Sequence, residues 1–268
     1  MNGMRIIIPT KGRTNRQLTL ASIAGQLTKK TTLVCPEREV AALKDIRTDI
    51  EVVAQPNDDW GIAKKRGWIL EEWLRRGYDK IVMLDDDLRF ATRKTNSDWH
   101  LKEIQGNELV PHFDKLEAKL GPEFPHVGFG QRQGNNQLET VGWKSPGKMC
   151  YVLAFYLPIV VKYVEFNRVR TREDMDISLQ LLRQGYPNAI FTETVCDQRK
   201  FDAPGGTSDE RTMESSNEDA RVLASLHPGL VSVVQRDYKA SVPRDEVIVQ
   251  WEKALEEGRQ KLKSVPST

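Results

Sequence analysis

No apolar run in this sequence approaches the ~20 residues that a membrane-crossing helix needs. The run nearest the start, Ile6-Ile7-Ile8, is stopped at once by Pro9 and is too short for the core of a secretory signal. Cysteine is scarce. Cys35, Cys150 and Cys196 are odd in number, widely spaced and form no CxxC pair, which argues against a disulfide framework and a structural zinc site. Reduced thiols and a cytoplasmic setting fit that usage. The four histidines are scattered, and there is neither a GxGxxG fingerprint nor a Walker loop to cradle a phosphate. The formal net charge, +2, is too small to imply a polyanionic partner by itself, although a local basic patch stays compatible with it. Internal repeats and low-complexity tracts are absent as well.

Over 268 residues, 39% hydrophobic and 29% charged content is ordinary globular composition, enough to bury the core of one large α/β domain. Short β-branched runs at Met4–Pro9, Thr31–Cys35, Glu51–Ala54 and Lys80–Leu84 read as buried strands. Between them, helical patterns fall at Arg16–Gln26, Val40–Leu43 and Gly61–Arg76. Such alternation predicts a parallel sheet with crossover helices. Further along, the expected strands are Val127–Phe129, Cys150–Leu157, Ala189–Thr194 and Leu230–Val234. The expected helices are Phe113–Leu120, Glu173–Gln184, Val222–Leu226 and Glu246–Lys263, with a mobile loop over Ala203–Ala220.

Asp85-Asp86-Asp87 is the sharpest chemical signal. It follows the apolar strand Lys80–Leu84, at the carboxyl end where ligands of such sheets gather. Three adjacent carboxylates repel one another unless a cation neutralises them, and a hard divalent ion shared with substrate phosphates does so. In an extended stretch Asp85 and Asp87 project to the same side, one towards a nucleotide's sugar and the other towards the metal. The competing reading is a solvated turn or a helix cap. A second acidic group, Glu173-Asp174-Met175-Asp176, opens an amphipathic helix. A carboxylate there can take a proton from a hydroxyl, or it can complete a Thr171-x-x-Asp174 capping box and suit the helix dipole. A third segment, Pro9-Thr10-Lys11-Gly12-Arg13, is a polar strand-end loop whose arginine can reach a phosphate. Lys64, Lys65 and Arg66 either neutralise a pyrophosphate or form a solvated face.

Taken in order, these segments resemble the GT-A glycosyltransferases over most of positions 4–195. The resemblance implies a single α/β, Rossmann-like domain with a mostly parallel sheet. Residues 1–200 would form the nucleotide-sugar-binding and catalytic part, and 201–268 an acceptor-side loop and helical extension of the same domain. It implies a nucleoside-diphosphate sugar, of the UDP-sugar kind, on Pro9, Thr10, Arg13 and Glu37. Asp85, Asp86 and Asp87 stand at the family's DxD motif, with Asp85 and Asp87 holding Mn²⁺ or Mg²⁺. Lys65-Arg66-Gly67 replaces the usual Ala-Arg-Asn, so only Arg66 carries over. In inverting members the base is the aspartate of a Glu-Asp pair, here Glu173-Asp174. His227 is the one candidate for a C-terminal histidine ligand to the metal, or else part of a structural turn with Pro228.

Arg132-Gln-Gly-Asn-Asn136 and Ala203-Pro-Gly-Gly-Thr-Ser-Asp-Glu-Arg211 also resemble the phage-type TET-associated DNA glycosyltransferases. That narrower resemblance implies hydroxymethylated DNA as the partner and a host-cytoplasm location if phage-encoded. Arg132, Asn135 and Asn136 would then approach the target base, and Arg168, Arg170 and Arg211 the phosphates. A target base inside a duplex would have to be extruded. The alternatives are a glycan, lipid-linked or small-molecule acceptor, a sugar nucleotidyltransferase, and a non-catalytic nucleic-acid-binding module. The nucleotidyltransferase is opposed by PTKGR standing where its Gly-rich loop belongs, and the inactive module by the intact acidic motifs.

Overall fold

The computed structural model describes residues 3–93, 101–132, 141–198, 212–237 and 243–264. Its organising feature is a sheet buried on both faces. Strands β1 (Arg5–Pro9), β2 (Thr31–Cys35) and β4 (Lys80–Leu84) send alternate side chains to opposite sides. Ile6, Ile8, Leu33, Cys35, Val82 and Leu84 join one core. Ile7, Val34, Ile81 and Met83 join the other. Burial on both faces is why these strands read as continuous apolar runs rather than as alternating ones. Ile6, Ile7 and Ile8 are at most 1% exposed. At roughly 2 kcal/mol for each buried isoleucine, they make β1 a fixed floor for the loop that follows.

The first core lies under α1 (Leu18–Ser22), α2 (Glu37–Ile46) and α4 (Val110–Lys119), through Leu20, Leu43, Phe113 and Leu116. The second lies under α3 (Ile62–Arg75), α5 (Leu157–Tyr163) and α6 (Glu173–Arg183), through Ile69, Leu70, Trp73, Leu157, Ile177 and Leu181. The sheet also contains β3 (Glu51–Ala54), β5 (Leu88–Arg93), β6 (Leu101–Ile104), β7 (His126–Gln131), β9 (Val152–Tyr156) and β10 (Asn188–Gln198). The short β8 (Trp143–Lys144) pairs with β10 alone. The order is β3-β2-β1-β4-β9-β7-β10-β5-β6. Only β5, β8 and β9 run against the common direction, so the sheet is mostly parallel, as expected of a GT-A domain.

Several expected boundaries change. The first helix is only Leu18–Ser22, capped at Ile23 and followed by a 3₁₀ turn at Gln26–Lys30 whose N-cap, Gly25, takes a φ of 111°. The Cys150–Leu157 run divides into β9 and α5, with Pro158 in the first turn of the helix. The expected C-terminal helix divides too. Arg244–Val249 is strand β12, paired with β11 (Val231–Arg236), and α8 spans Trp251–Ser264. Helix α7 begins at Met213, so the end of the expected Ala203–Ala220 loop is helical; positions 203–211 lie outside the described residues.

This C-terminal layer packs on α6 through Val169, Met175, Leu179, Leu182, Leu223, Leu230, Ala254 and Leu255. The approach of α8 is close enough that a Cβ on Gly258 would lie 2.1 Å from the Leu182 carbonyl oxygen, so only glycine fits.

Candidate active site

The three aspartates do not form an extended stretch. Asp86 and Asp87 make the turn between β4 and β5, and the turn is strapped to α1. Thr19 donates its backbone N–H to the Asp86 carbonyl at 3.1 Å and its hydroxyl to the Asp85 carbonyl. It also accepts the Leu88 N–H at 2.8 Å. The turn therefore gives the carboxylates different partners, in place of the expected extended stretch, while Asp85 and Asp87 stay within electrostatic reach of each other. Arg13 binds Asp86 and also Asp87, at 3.0 Å to the latter. Thr10 donates to Asp86 at 2.6 Å. Asp85 is held by Arg66, with Gln198 at 3.4 Å from its other oxygen. Burial pushes Asp85 up to about 7, against the pull of Arg66 and helped by Asp87, Asp86 and Glu173. Burial also raises Asp86, against Thr10 and Arg13.

Arg66, 5% exposed, is the hinge of the site. One arm of its guanidinium binds Asp85 and the other binds Glu173 at the start of α6. Burial works against its charge, but Asp85 and Glu173 outweigh it and raise the pKa above the usual arginine value. The departure at Gly67 is steric, because a Cβ there would sit 2.6 Å from the Phe166 Cβ. Asp174, next to Glu173, is half-buried and within electrostatic reach of Arg66. One of its carboxylate oxygens accepts the Met175 N–H at 2.8 Å.

The expected Thr171–Asp174 capping box does not form. Arg172 is the N-cap in left-handed conformation, φ 68°, which turns Thr171 away from the helix. Thr171 instead gives its hydroxyl and N–H to Asp219 of α7, at 2.7 and 3.1 Å. One turn into α6, the buried Asp176 accepts from His227 Nε2 at 2.7 Å and from Arg168. His227 is fully buried in this network, so here it serves as a structural contact to α6. Arg168, half-buried, is ion-paired with the same Asp176. Arg170 is 62% exposed but paired with Glu218 and Asp219.

The loop after β1 is held from below. Lys65, 3% exposed, donates to the Thr10 carbonyl at 3.0 Å, and burial lowers its pKa to about 8. The second carboxylate on this loop is Glu39, which accepts the Gly12 N–H at 2.9 Å. The expected Glu37 opens α2, exposed, with its own N–H capped by Asp58 at 2.6 Å. Arg132 lies at the end of β7, exposed, 3.4 Å from Asp197. Asn135, Asn136 and Arg211 lie outside the described residues. Sequence reading missed Thr19, Glu39 and Gln198. Thr19 and Glu39 sit in short helices whose pattern shows no chemistry, and Gln198 ends a strand longer than its apolar run.

Among the described residues no cluster of three or more His, Cys, Asp or Glu is arranged as a metal site. All three cysteines are free and buried, and burial pushes the Cys35 thiol up to about 12. No helix among the described residues is long and apolar enough to cross a membrane.

Among solved structures, the chain is similar to S. aureus TarS 1-349 in complex with UDP, at 10% identity and TM-score 0.49, covering 84% of this chain. It spans 65% of the length of that TarS structure. It is also similar to GalNAc-T7 with UDP, GalNAc and Mn2+ (9% identity, TM-score 0.46, covering 74% of this chain and 44% of that one). A third similarity is to a putative glucose-1-phosphate thymidylyltransferase from Bacillus anthracis (8% identity, TM-score 0.43, 85% and 96% covered). No curated protein matches the sequence at a significant level. Residues 4–206, which carry the Thr10 loop, the aspartate turn, Arg66 and the start of α6, match the TET-Associated Glycosyltransferase family. The chain belongs to that family.

Proposed function

We propose that the protein transfers a sugar from a UDP-type nucleotide sugar to a hydroxyl group, with 5-hydroxymethylcytosine in DNA as the preferred acceptor. The observation that carries this reading is the Arg66 bridge. It joins Asp85, on the donor side, to Glu173, beside the candidate base, and so makes one site of motifs ~90 residues apart. The DNA acceptor is suggested by the TET association in the family's name.

The nucleotide would lie on Pro9, Thr10 and Arg13. The donor set suits a hard divalent ion, because Asp87 Oδ1 is buried without a hydrogen-bond partner. Asp85 and Glu173 gather on the guanidinium of Arg66, and Asp86 and Asp87 on that of Arg13. Asp87, with Asp85, would hold Mn²⁺ or Mg²⁺, which when bound offsets charge on the departing diphosphate. Asp174 accepts the proton of the acceptor hydroxyl, whose oxygen attacks the anomeric carbon as the diphosphate leaves from the opposite face. The C1–O bond to phosphate breaks as the new C1–O bond forms, with inversion. The Met175 N–H orients the base, and Arg66 keeps Glu173 from turning into its place.

Mass spectrometry of duplex DNA carrying hydroxymethylcytosine, incubated with UDP-sugars and Mn²⁺, tests this. A hexose-sized mass gain absent from the cytosine duplex is expected. Metal-dependent donor hydrolysis with no gain on DNA would remove DNA as acceptor and leave sugar transfer to another hydroxyl.

A further inference from the structure

Tyr151 is the bulkiest of the three non-glycine residues with positive φ among those described, at φ 70°. Its neighbours close a three-residue turn around it, with the Val152 N–H bound to the Cys150 carbonyl at 2.8 Å. A γ-turn around a residue of positive φ is rare and strained, and such strain persists mostly at functional sites. Another of the three, Arg172, caps the helix that carries Glu173 and Asp174. The two strained residues thus adjoin the two acidic motifs.

The Tyr151 carbonyl accepts the Asp85 N–H at 3.0 Å, which places the tyrosine beside the aspartate turn. Its half-buried ring rests on the main core. Gln131, the last residue of β7, and Asp85 both lie within electrostatic reach of its phenol. Strand order then fixes what this pair faces. In the reading proposed above, on which this inference rests, the nucleotide lies over the β1 side and its diphosphate over the end of β4. The sheet continues from β4 to β9 and β7. The group attached beyond the diphosphate therefore extends over Tyr151 and Gln131.

We propose that Tyr151 and Gln131 form the wall that recognises the donor's sugar, pairing with its ring hydroxyls and setting which hexose is accepted. A phenol and a carboxamide together offer both donors and acceptors, which is what discrimination between hydroxyl epimers needs. The positive-φ turn sets the tyrosine beside the aspartate turn, where its carbonyl holds the Asp85 N–H.

The test is calorimetric titration of the whole chain, in Mn²⁺, with UDP alone and with UDP-glucose, UDP-galactose and UDP-N-acetylglucosamine. Tyr151→Phe keeps the ring and the turn, and Gln131→Ala supplies an independent arm; thermal unfolding checks that both fold. Each variant should keep wild-type affinity for UDP. Each should lose about three- to tenfold of affinity for the preferred UDP-sugar, the size of one hydrogen bond. Discrimination between the glucose and galactose donors should narrow. Equal losses for UDP and UDP-sugar would overturn the proposal, since the pair would then act only through Asp85. Unchanged UDP-sugar affinity and discrimination in both variants would overturn it too. A wild type that binds neither UDP nor any UDP-sugar removes the function itself, and the sugar wall with it.

Discussion

Replacing Lys65 by methionine separates what the fold gains from what the site needs. The lysine is 3% exposed, and its one hydrogen-bond partner identified here is the Thr10 carbonyl. Burial lowers its pKa from 10.5 to about 8. Between those two values the unfolded chain holds the proton and the folded chain does not. Stability from this group therefore rises as pH goes from 8 to 10.5, and below 8 the fold carries the full penalty of a buried charge. A shift of that size, at 1.36 kcal/mol per unit, is about 3 kcal/mol. Lys65→Met removes the titration. Urea unfolding of both proteins at pH 7 and pH 10.5 should show the wild type gaining about 3 kcal/mol more than the variant over that interval. Taking the difference cancels the other groups that titrate there. The variant should also bind UDP more weakly, because Thr10 loses its support from below while still holding Asp86. Parallel pH–stability curves for the two proteins would refute the reasoning, since Lys65 would then titrate in the folded protein as it does in the unfolded chain.

Asp174→Asn should lower transfer by orders of magnitude yet change stability by at most about 1 kcal/mol, because an amide oxygen can still accept the Met175 N–H. A rate within a few-fold of wild type would return Asp174 to a structural role. Asp87→Ala should abolish the Mn²⁺ dependence of donor binding, measured by titration with and without EDTA. Equal donor affinity in the wild type with and without EDTA would sink the metal reading. His227→Ala should cost about 1–3 kcal/mol in unfolding experiments by removing a buried partner of Asp176. It should leave the Mn²⁺ dependence of donor binding intact, and loss of that dependence would make His227 a metal ligand after all.

What the sequence made legible was strand identity and the acidic motifs. Two-sided burial writes itself as uninterrupted apolar runs, so β1, β2, β3 and β4 were found nearly to the residue. Antiparallel additions such as β5 and β12 were not, because Arg89, Thr92, Arg244, Asp245 and Glu246 interrupt their apolar pattern. The capping box at Thr171 matched in spacing but lost to a long-range partner, Asp219, 48 residues away. The charge of Arg168 is visible in the sequence, but its pairing with Asp176 is a tertiary fact. Arg66 shows the converse. Its position matched the family pattern, yet its double grip on Asp85 and Glu173 depends on the distance between two elements that local periodicity does not encode.

Those tertiary contacts explain how the candidate base is kept in place. Helix α6 carries Asp174 in its first turn, where the helix's own hydrogen bonds fix orientation least. From the front, Arg66 grips Glu173. From behind, the residue before its cap is gripped by Asp219, and Asp176 by His227. At its far end the helix meets α8 closely enough to require Gly258. Of these holds, Arg66 comes from α3; the others come from α7, the turn after it, and α8. A buried carboxylate left without its partner destabilises its surroundings by several kcal/mol, so the rear contacts are energetically large enough to set the helix register. The C-terminal elements thus hold the helix that carries Glu173 and Asp174 from behind, while Arg66 ties its start to Asp85.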